Sequence, residues 1–254
     1  EEITAEKCGI IKPRQVVVSH PQAPEAQEII ETACVERGAM LRCVGDCEIV
    51  LETMSVDGMW FTLATPEGTH FSLYTSLLGR HQLANAAAAV LAARALRIDT
   101  MDIQRGISTA VWPGRMEYLP WDPDIILDGT HNPHAVRTLI QALDDLFPSR
   151  NVVLVLSIMK DKDVETMMKL FTQRANHVVA VKCDERACEA EELVEKAMLN
   201  PTVTAQAVDS VGHAYDAALR YCVEHYEDNP LIVVAGSLYL DGAIREILFS
   251  GWVE

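Results

Sequence analysis

The chain has 254 residues, of which 49% are hydrophobic and 23% charged. That is enough apolar material for one large domain or two ordinary ones, and it excludes intrinsic disorder, a collagen-like repeat and a disulfide-stapled miniprotein. Against 21 Lys and Arg stand 37 Asp and Glu, a formal charge of −16. A surface this acidic repels nucleic-acid backbones and anionic lipid, so the expected partners are small molecules, with no nucleic acid and no membrane.

In chain order, Gln15–Val18 reads as a strand, Glu25–Glu36 as a helix and Met40–Val44 as a second strand. Alternating residues from Glu48 to Tyr74, with turn signals at Asp57-Gly58 and Glu67-Gly68, predict a small antiparallel meander. An Ala-rich helix follows from His81 to about Leu96, then a shorter one over Met101–Val111. Trp112-Pro113-Gly114 breaks the pattern and marks a boundary, giving domains of residues 1–111 and 112–254.

Beyond the boundary, β-branched runs at Ile125–Leu127, Val152–Leu156, Val178–Val181, Val203–Val208 and Leu231–Ala235 alternate with helical patterns. Val136, Leu139, Ile140, Leu143 and Phe147 share one helical face, with Asn132 as its cap and Pro133 at its first position. Further helices are expected at Val164–Ala175, Glu189–Met198 and Val211–His225. Strands separated by single helices predict an α/β domain, doubly wound around a parallel sheet. The first half reads instead as the rear part of a larger domain with a small antiparallel sheet.

Seven cysteines, none in a C-x-x-C pair, fit reduced thiols in a cytoplasmic protein. The longest apolar stretch, Ala86–Ala93, falls short of the ~18 residues of a membrane span. None of the seven lysines follows a glycine, so these residues hold no Gly-Lys-Ser/Thr phosphate loop; G-x-G, H-E-x-x-H and G-x-S-x-G are absent as well.

Several short motifs carry possible chemistry. Asp128-Gly-Thr-His131-Asn-Pro lies where a buried strand meets a capped helix, the edge at which open α/β sheets bind ligands. Asp128 and His131 would supply an acceptor and a titratable donor there, or Asp128 and Asn132 would simply cap the helix. Ile126 stands where an aspartyl phosphatase needs its nucleophile, which excludes that chemistry. Gln82 and Asn85, three apart at the start of the Ala-rich helix, either read the edge of a base or form a polar first turn. Arg115 on the boundary could clamp a phosphate or remain solvated. Ser237 and Tyr239, after the last strand, could reach a ligand at the same sheet edge or serve as packing. Lys160-Asp161-Lys162-Asp163 reads as a solvated charge cluster.

Taken in order, Glu6-Lys7-Cys-Gly-Ile-Ile-Lys12, Leu-Gly-Arg-His-Gln82-Leu-Ala-Asn85, Pro-Gly-Arg115, Leu-Asp128-Gly-Thr-His131-Asn-Pro, Lys-Asp-Lys162-Asp163 and Gly-Ser237-Leu-Tyr239 resemble folylpolyglutamate synthase, including its bifunctional dihydrofolate synthase form, in the Mur ligase superfamily. The resemblance runs from Glu1 to about Ile247. It implies an ATP-dependent ligase joining L-glutamate to the terminal carboxylate of a folate through an acyl phosphate, with ATP and Mg²⁺ required. It implies that Lys7 is carbamylated and supports the metal indirectly, and that Gln82 and Asn85 lie on the adenine side. It further implies that Arg115 and Asp128 contact the nucleotide, and that His131, Ser237 and Tyr239 lie on the glutamate side, with Lys7, Asp128 and His131 catalytic.

The family's phosphate loop and its magnesium-binding Glu and His precede the Glu6-Lys7 motif, and nothing here corresponds to them. The resemblance therefore implies a truncated ATPase domain followed by a whole Rossmann-like C-terminal domain, inactive without the N-terminal portion. Cys8 and Thr130 stand where the family usually has alanine, and Asp241 where an apolar residue is commoner. The competing readings are a different Mur-type amino-acid ligase and a non-catalytic binding module retaining half an ATP site.

Overall fold

A computed structural model describes residues 1–250. Its elements run α1 (Glu2–Cys8), β1 (Val16–Ser19), α2 (Pro24–Glu36), β2 (Met40–Cys43), β3 (Glu48–Ser55), β4 (Gly58–Ala64), β5 (His70–Thr75), α3 (His81–Ala95) and α4 (Thr100–Ser108). They continue with β6 (Glu117–Leu119), β7 (Ile125–Leu127), α5 (Pro133–Leu146), β8 (Asn151–Leu156), α6 (Val164–Phe171), β9 (His177–Val181), α7 (Ala190–Ala197), β10 (Thr204–Val208), α8 (Val211–Glu224), β11 (Pro230–Ala235) and α9 (Leu238–Phe249).

Two units result. The first comprises Glu1–Ser76 and Arg80–Val111; the second comprises Leu77–Gly79 and the chain from Trp112 onward.

In the first unit, β3, β4 and β5 form an antiparallel sheet. Alternation sends Met59, Phe61, Leu63, Phe71 and Leu73 to one face. That face packs with Leu83, Ala86, Ala87, Val90 and Leu91 of α3 and with Ile103 of α4. The alanines bring α3 close to the sheet. Asp99 caps α4 by accepting from the Met101 N–H at 2.9 Å. Separately, β1 and β2 pair in parallel, and α1 joins α2 through a small core of Cys8, Ile11, Ala33 and Cys34.

The second unit is built on a six-stranded sheet in the order β10-β9-β8-β11-β7-β6. The first five are parallel. The sixth, β6, is antiparallel, with Glu117 opposite Leu127, so the sheet is mixed rather than purely parallel. Three residues are too few to show an alternation in the sequence.

Helices α8 and α9 cover one face over Ile125, Leu127, Val153, Val155, Val179, Val181, Ile232 and Val234. Residues of opposite orientation, such as Ile126, Leu154, Val178 and Val233, are equally buried. The central strands are therefore enclosed on both faces, as a parallel sheet requires. Each of these side chains contributes ~1.5–3 kcal/mol by leaving water. All seven cysteines are free thiols. Among the described residues no helix is long and apolar enough to cross a membrane.

Candidate functional site

The carboxyl ends of β7, β8, β9 and β11 surround a cavity of about 570 Å³. Its lining includes His131 after β7, Met159, Lys160, Asp161 and Lys162 after β8, Arg186 after β9, and Ser237, Leu238 and Tyr239 at the start of α9. Ligands of open α/β sheets bind at this edge because the connecting loops splay apart there and helix N-termini present free amides.

Close backbone approach makes the cavity possible. Gly236 has φ +97°, and a Cβ there would fall 2.3 Å from the Ser157 carbonyl oxygen. Only glycine lets the loop after β11 pass so near the end of β8. Gly129 leaves room in the same way for Leu238, whose Cδ2 lies 2.1 Å from where a Cβ would stand.

Three cations line the cavity of an otherwise strongly acidic chain. Lys160 is 3.4 Å from Glu189, which also takes Lys182 at 2.7 Å. Lys162 pairs with Asp161 at 2.9 Å. Arg186 is held by Asp184 at 2.9 Å and lies over the Tyr239 ring at 5.0 Å. Hydrogen bonding to Asp184, and then to Tyr239, makes Arg186 hold its proton more tightly than usual. The Lys162 and Arg186 contacts correspondingly hold Asp161 and Asp184 below the ordinary carboxylate range.

His131 Nδ1 is 2.8 Å from the Gly129 carbonyl oxygen. A carbonyl can only accept, so Nδ1 carries a hydrogen. In the neutral ring that leaves the Nε2 lone pair available. Ser237 is buried and accepts from the Tyr239 N–H at 3.1 Å, capping α9. Cys183 Sγ lies 4.0 Å from its hydroxyl. Asn132 caps α5 by accepting from the Ala135 N–H at 2.9 Å, with Pro133 in the first turn.

The expected site residues separate into groups. His131, Ser237 and Tyr239 meet at the cavity. Asp128 does not line it. Its Oδ1 accepts from the Thr130 N–H at 3.0 Å and from the Thr130 hydroxyl, and its Oδ2 accepts from the Met116 N–H at 2.9 Å. The carboxylate thus ties residues 112–117 to the end of β7 while Arg115 is exposed on that turn.

In the first unit, Asn85 donates to the buried Gln82 Oε1 at 2.9 Å, and Lys7 is exposed in the last turn of α1. Among the described residues no three His, Cys, Asp or Glu gather as cation ligands. These described residues do not form a magnesium cage.

No sequence motif marks Arg186, and the Lys160–Asp163 segment, read from the sequence as a solvated charge cluster, is indeed largely exposed while bordering the cavity. The usable signal was positional: Lys160 and Lys162 lie in the loop after β8, and Arg186 in the loop after β9, each within six residues of a buried strand's carboxyl end.

The fold and this strand-edge site are those of a doubly wound α/β ligand-binding domain. Residues 114–238, just under half of the chain, match the Mur ligase, glutamate ligase domain. Folylpolyglutamate synthases are among the proteins the chain resembles over most of its length. The chain is 30% identical over 256 residues to the dihydrofolate synthase/folylpolyglutamate synthase of Bacillus subtilis, covering 98% of this chain and 58% of that protein.

Among solved structures, folylpolyglutamate synthase of Mycobacterium tuberculosis, complexed with ADP and AMPPCP, superimposes with a TM-score of 0.88 at 26% identity, over 97% of this chain and 59% of the other. The synthase of Thermotoga maritima gives 0.81, also at 26% identity, over 100% and 58%. The chain thus spans a little under three fifths of the length of these relatives.

Proposed function

We propose that this chain acts in the ATP-dependent joining of L-glutamate to the terminal carboxylate of a folate, in the cytoplasm. The observation that carries the reading is the cavity with Lys160, Lys162 and Arg186 on its walls and His131 beside them, within a domain of the glutamate ligase family. Glutamate brings two carboxylates and an amine. Cations fixed at a sheet edge suit the carboxylates, and Arg186, with its planar fork, suits one of them bidentately.

The γ-phosphoryl group of ATP passes to the folate carboxylate, giving an acyl phosphate. The glutamate amine then attacks the acyl carbon, phosphate leaves and the amide forms. The attacking amine must shed protons. His131 Nε2 is the acceptor, and the Gly129 carbonyl, bonded to Nδ1–H, steadies the resulting imidazolium. Ser237 and Tyr239 border the glutamate, and Arg115 contacts the nucleotide phosphates from its exposed turn. Asp128 holds that turn in position. Gln82 and Asn85 act on the adenine side. The 254 residues contain no phosphate-binding loop, so turnover requires a segment that supplies one, and Mg-ATP binds weakly to the chain alone.

The test is glutamate-dependent phosphate release from ATP in the presence of tetrahydrofolate, measured with a phosphate-loop segment present. His131→Ala is expected to lose turnover by ~100-fold or more while remaining folded. Near-normal turnover in that variant removes His131 from the chemistry. Turnover with another amino acid in place of glutamate would mark a different Mur-type ligase, and none with any would mark a binding module.

A further inference from the structure

One residue of α9 is at odds with its surroundings. Asp241, in the first turn, is only 4% exposed, and neither carboxyl oxygen has a hydrogen-bond partner among the described residues. Its Oδ2 lies 3.3 Å from where a Cβ on Gly114 would stand and 3.4 Å from the same point on Gly129. The acid is lodged against two glycines that are themselves joined, Gly129 N–H donating to the Gly114 carbonyl at 2.8 Å. This is where residues 112–117 meet the end of β7.

The charges facing Asp241 come from each neighbouring element: Asp128 after β7, Glu117 on β6 and Arg115 on the turn. Arg245, on α9 itself, is occupied by Glu117 at 3.1 Å. Burial above all, then Asp128 and Glu117, push Asp241 up to about 9, and Arg115 alone acts in the opposite direction. At neutral pH the group is an uncharged acid. Once ionised it would be a buried charge without a donor, which must find a counter-charge. Arg115 is the cation free to provide one. It is exposed, joins no ion pair among the described residues, and sits on the turn that Asp241 underlies.

We propose that Asp241 is a proton-operated latch on the 112–117 turn: as a neutral acid it leaves the Arg115 guanidinium in solvent, and as a carboxylate it draws that guanidinium in over Gly114. The proton goes to solvent and Arg115 stays protonated throughout, so one charge replaces another as partner. The inference concerns the position of Arg115 and does not depend on what Arg115 binds.

The test is an NMR titration of the 254-residue chain, labelled at aspartate carboxyls and arginine guanidinium groups, from about pH 6 to about pH 10.5. One carboxyl signal, identified by its absence in Asp241→Asn or, should that variant not fold, in Asp241→Leu, is expected to titrate in the alkaline range. The Arg115 Nε signal should move with the same midpoint. In Arg115→Ala, with the opposing cation removed, the carboxyl midpoint should rise by ~0.5 pH unit or more. An Asp241 carboxyl already ionised at pH 7 overturns the latch. So does an Arg115 signal that stays flat while Asp241 titrates, or a midpoint unchanged in Arg115→Ala.

Discussion

The Arg186 guanidinium carbon lies 5.0 Å from the centre of the Tyr239 ring, joining the loop after β9 to the first turn of α9 along the cavity wall. Asp184 grips the same guanidinium from its own loop. The arginine is therefore oriented before any ligand arrives. Removing the ring with Tyr239→Ala should raise KM for glutamate about two- to fivefold with little change in kcat, the size of effect an exposed cation–π contact supplies. Arg186→Ala should raise it about tenfold or more. Steady-state kinetics of the ligase reaction separates the two parameters.

Asp128 is expected to act through architecture. Its carboxylate takes two backbone N–H donors and the Thr130 hydroxyl while buried. Asp128→Ala strands those donors and should destabilise the second unit by roughly 2–4 kcal/mol in urea denaturation. Asp128→Asn should cost less, although its NH₂ must face a donor.

Gly236→Ala tests the close approach of β11 to β8. The new methyl would require a strained φ and a contact of 2.3 Å with the Ser157 carbonyl. A loss of about 2 kcal/mol or more is expected in thermal unfolding, with weaker ligand binding as the strand ends separate.

His177 makes the second unit acid-sensitive. It is buried at the start of β9, bonds Thr204 at 2.7 Å and stacks on Tyr221 at 4.1 Å. Burial, and then His225, push it down to about 4 from an ordinary 6.5. The unfolded chain therefore takes a proton that the native one refuses. The stability is present above pH 6.5 and is lost as pH falls towards 4. His177→Phe should flatten that window by roughly 2–3 kcal/mol, read from unfolding at a series of pH values.

Asp241 has the opposite linkage. Its native acid keeps a proton that the unfolded chain releases near 3.8, so its contribution is greatest below that pH and declines as pH rises towards 9. Asp241→Leu should stabilise the protein by roughly 1–3 kcal/mol at pH 8 and by much less at pH 4. Denaturant midpoints at those two pH values measure the difference.

Much of the second unit was legible because its determinants are local. The apolar runs of β7, β8, β9, β10 and β11 and the Asn132-Pro133 start of α5 each announce themselves within a few residues. The antiparallel β6 does not, since Glu117–Leu119 becomes a strand only through β7. Helix α9 was hidden because Ser237-Leu-Tyr reads equally as a loop, and its cap bond is visible only in three dimensions. Arg186 belongs to no motif, and it acquires meaning when the β9 loop meets α9. The direction of the Asp128 carboxylate depended on a turn twelve residues away in the chain.

The strand made last, β11, occupies the middle of the sheet, between β8 and β7. During synthesis β6 and β7 must therefore wait, unable to join β8, β9 and β10, until about a hundred further residues have left the ribosome. A nascent chain halted before Ala235 would hold two separate pieces of sheet, each with an apolar edge open to chaperones or to aggregation. Completion of this unit is thus a single late event, and a nonsense mutation within β11 would abolish it.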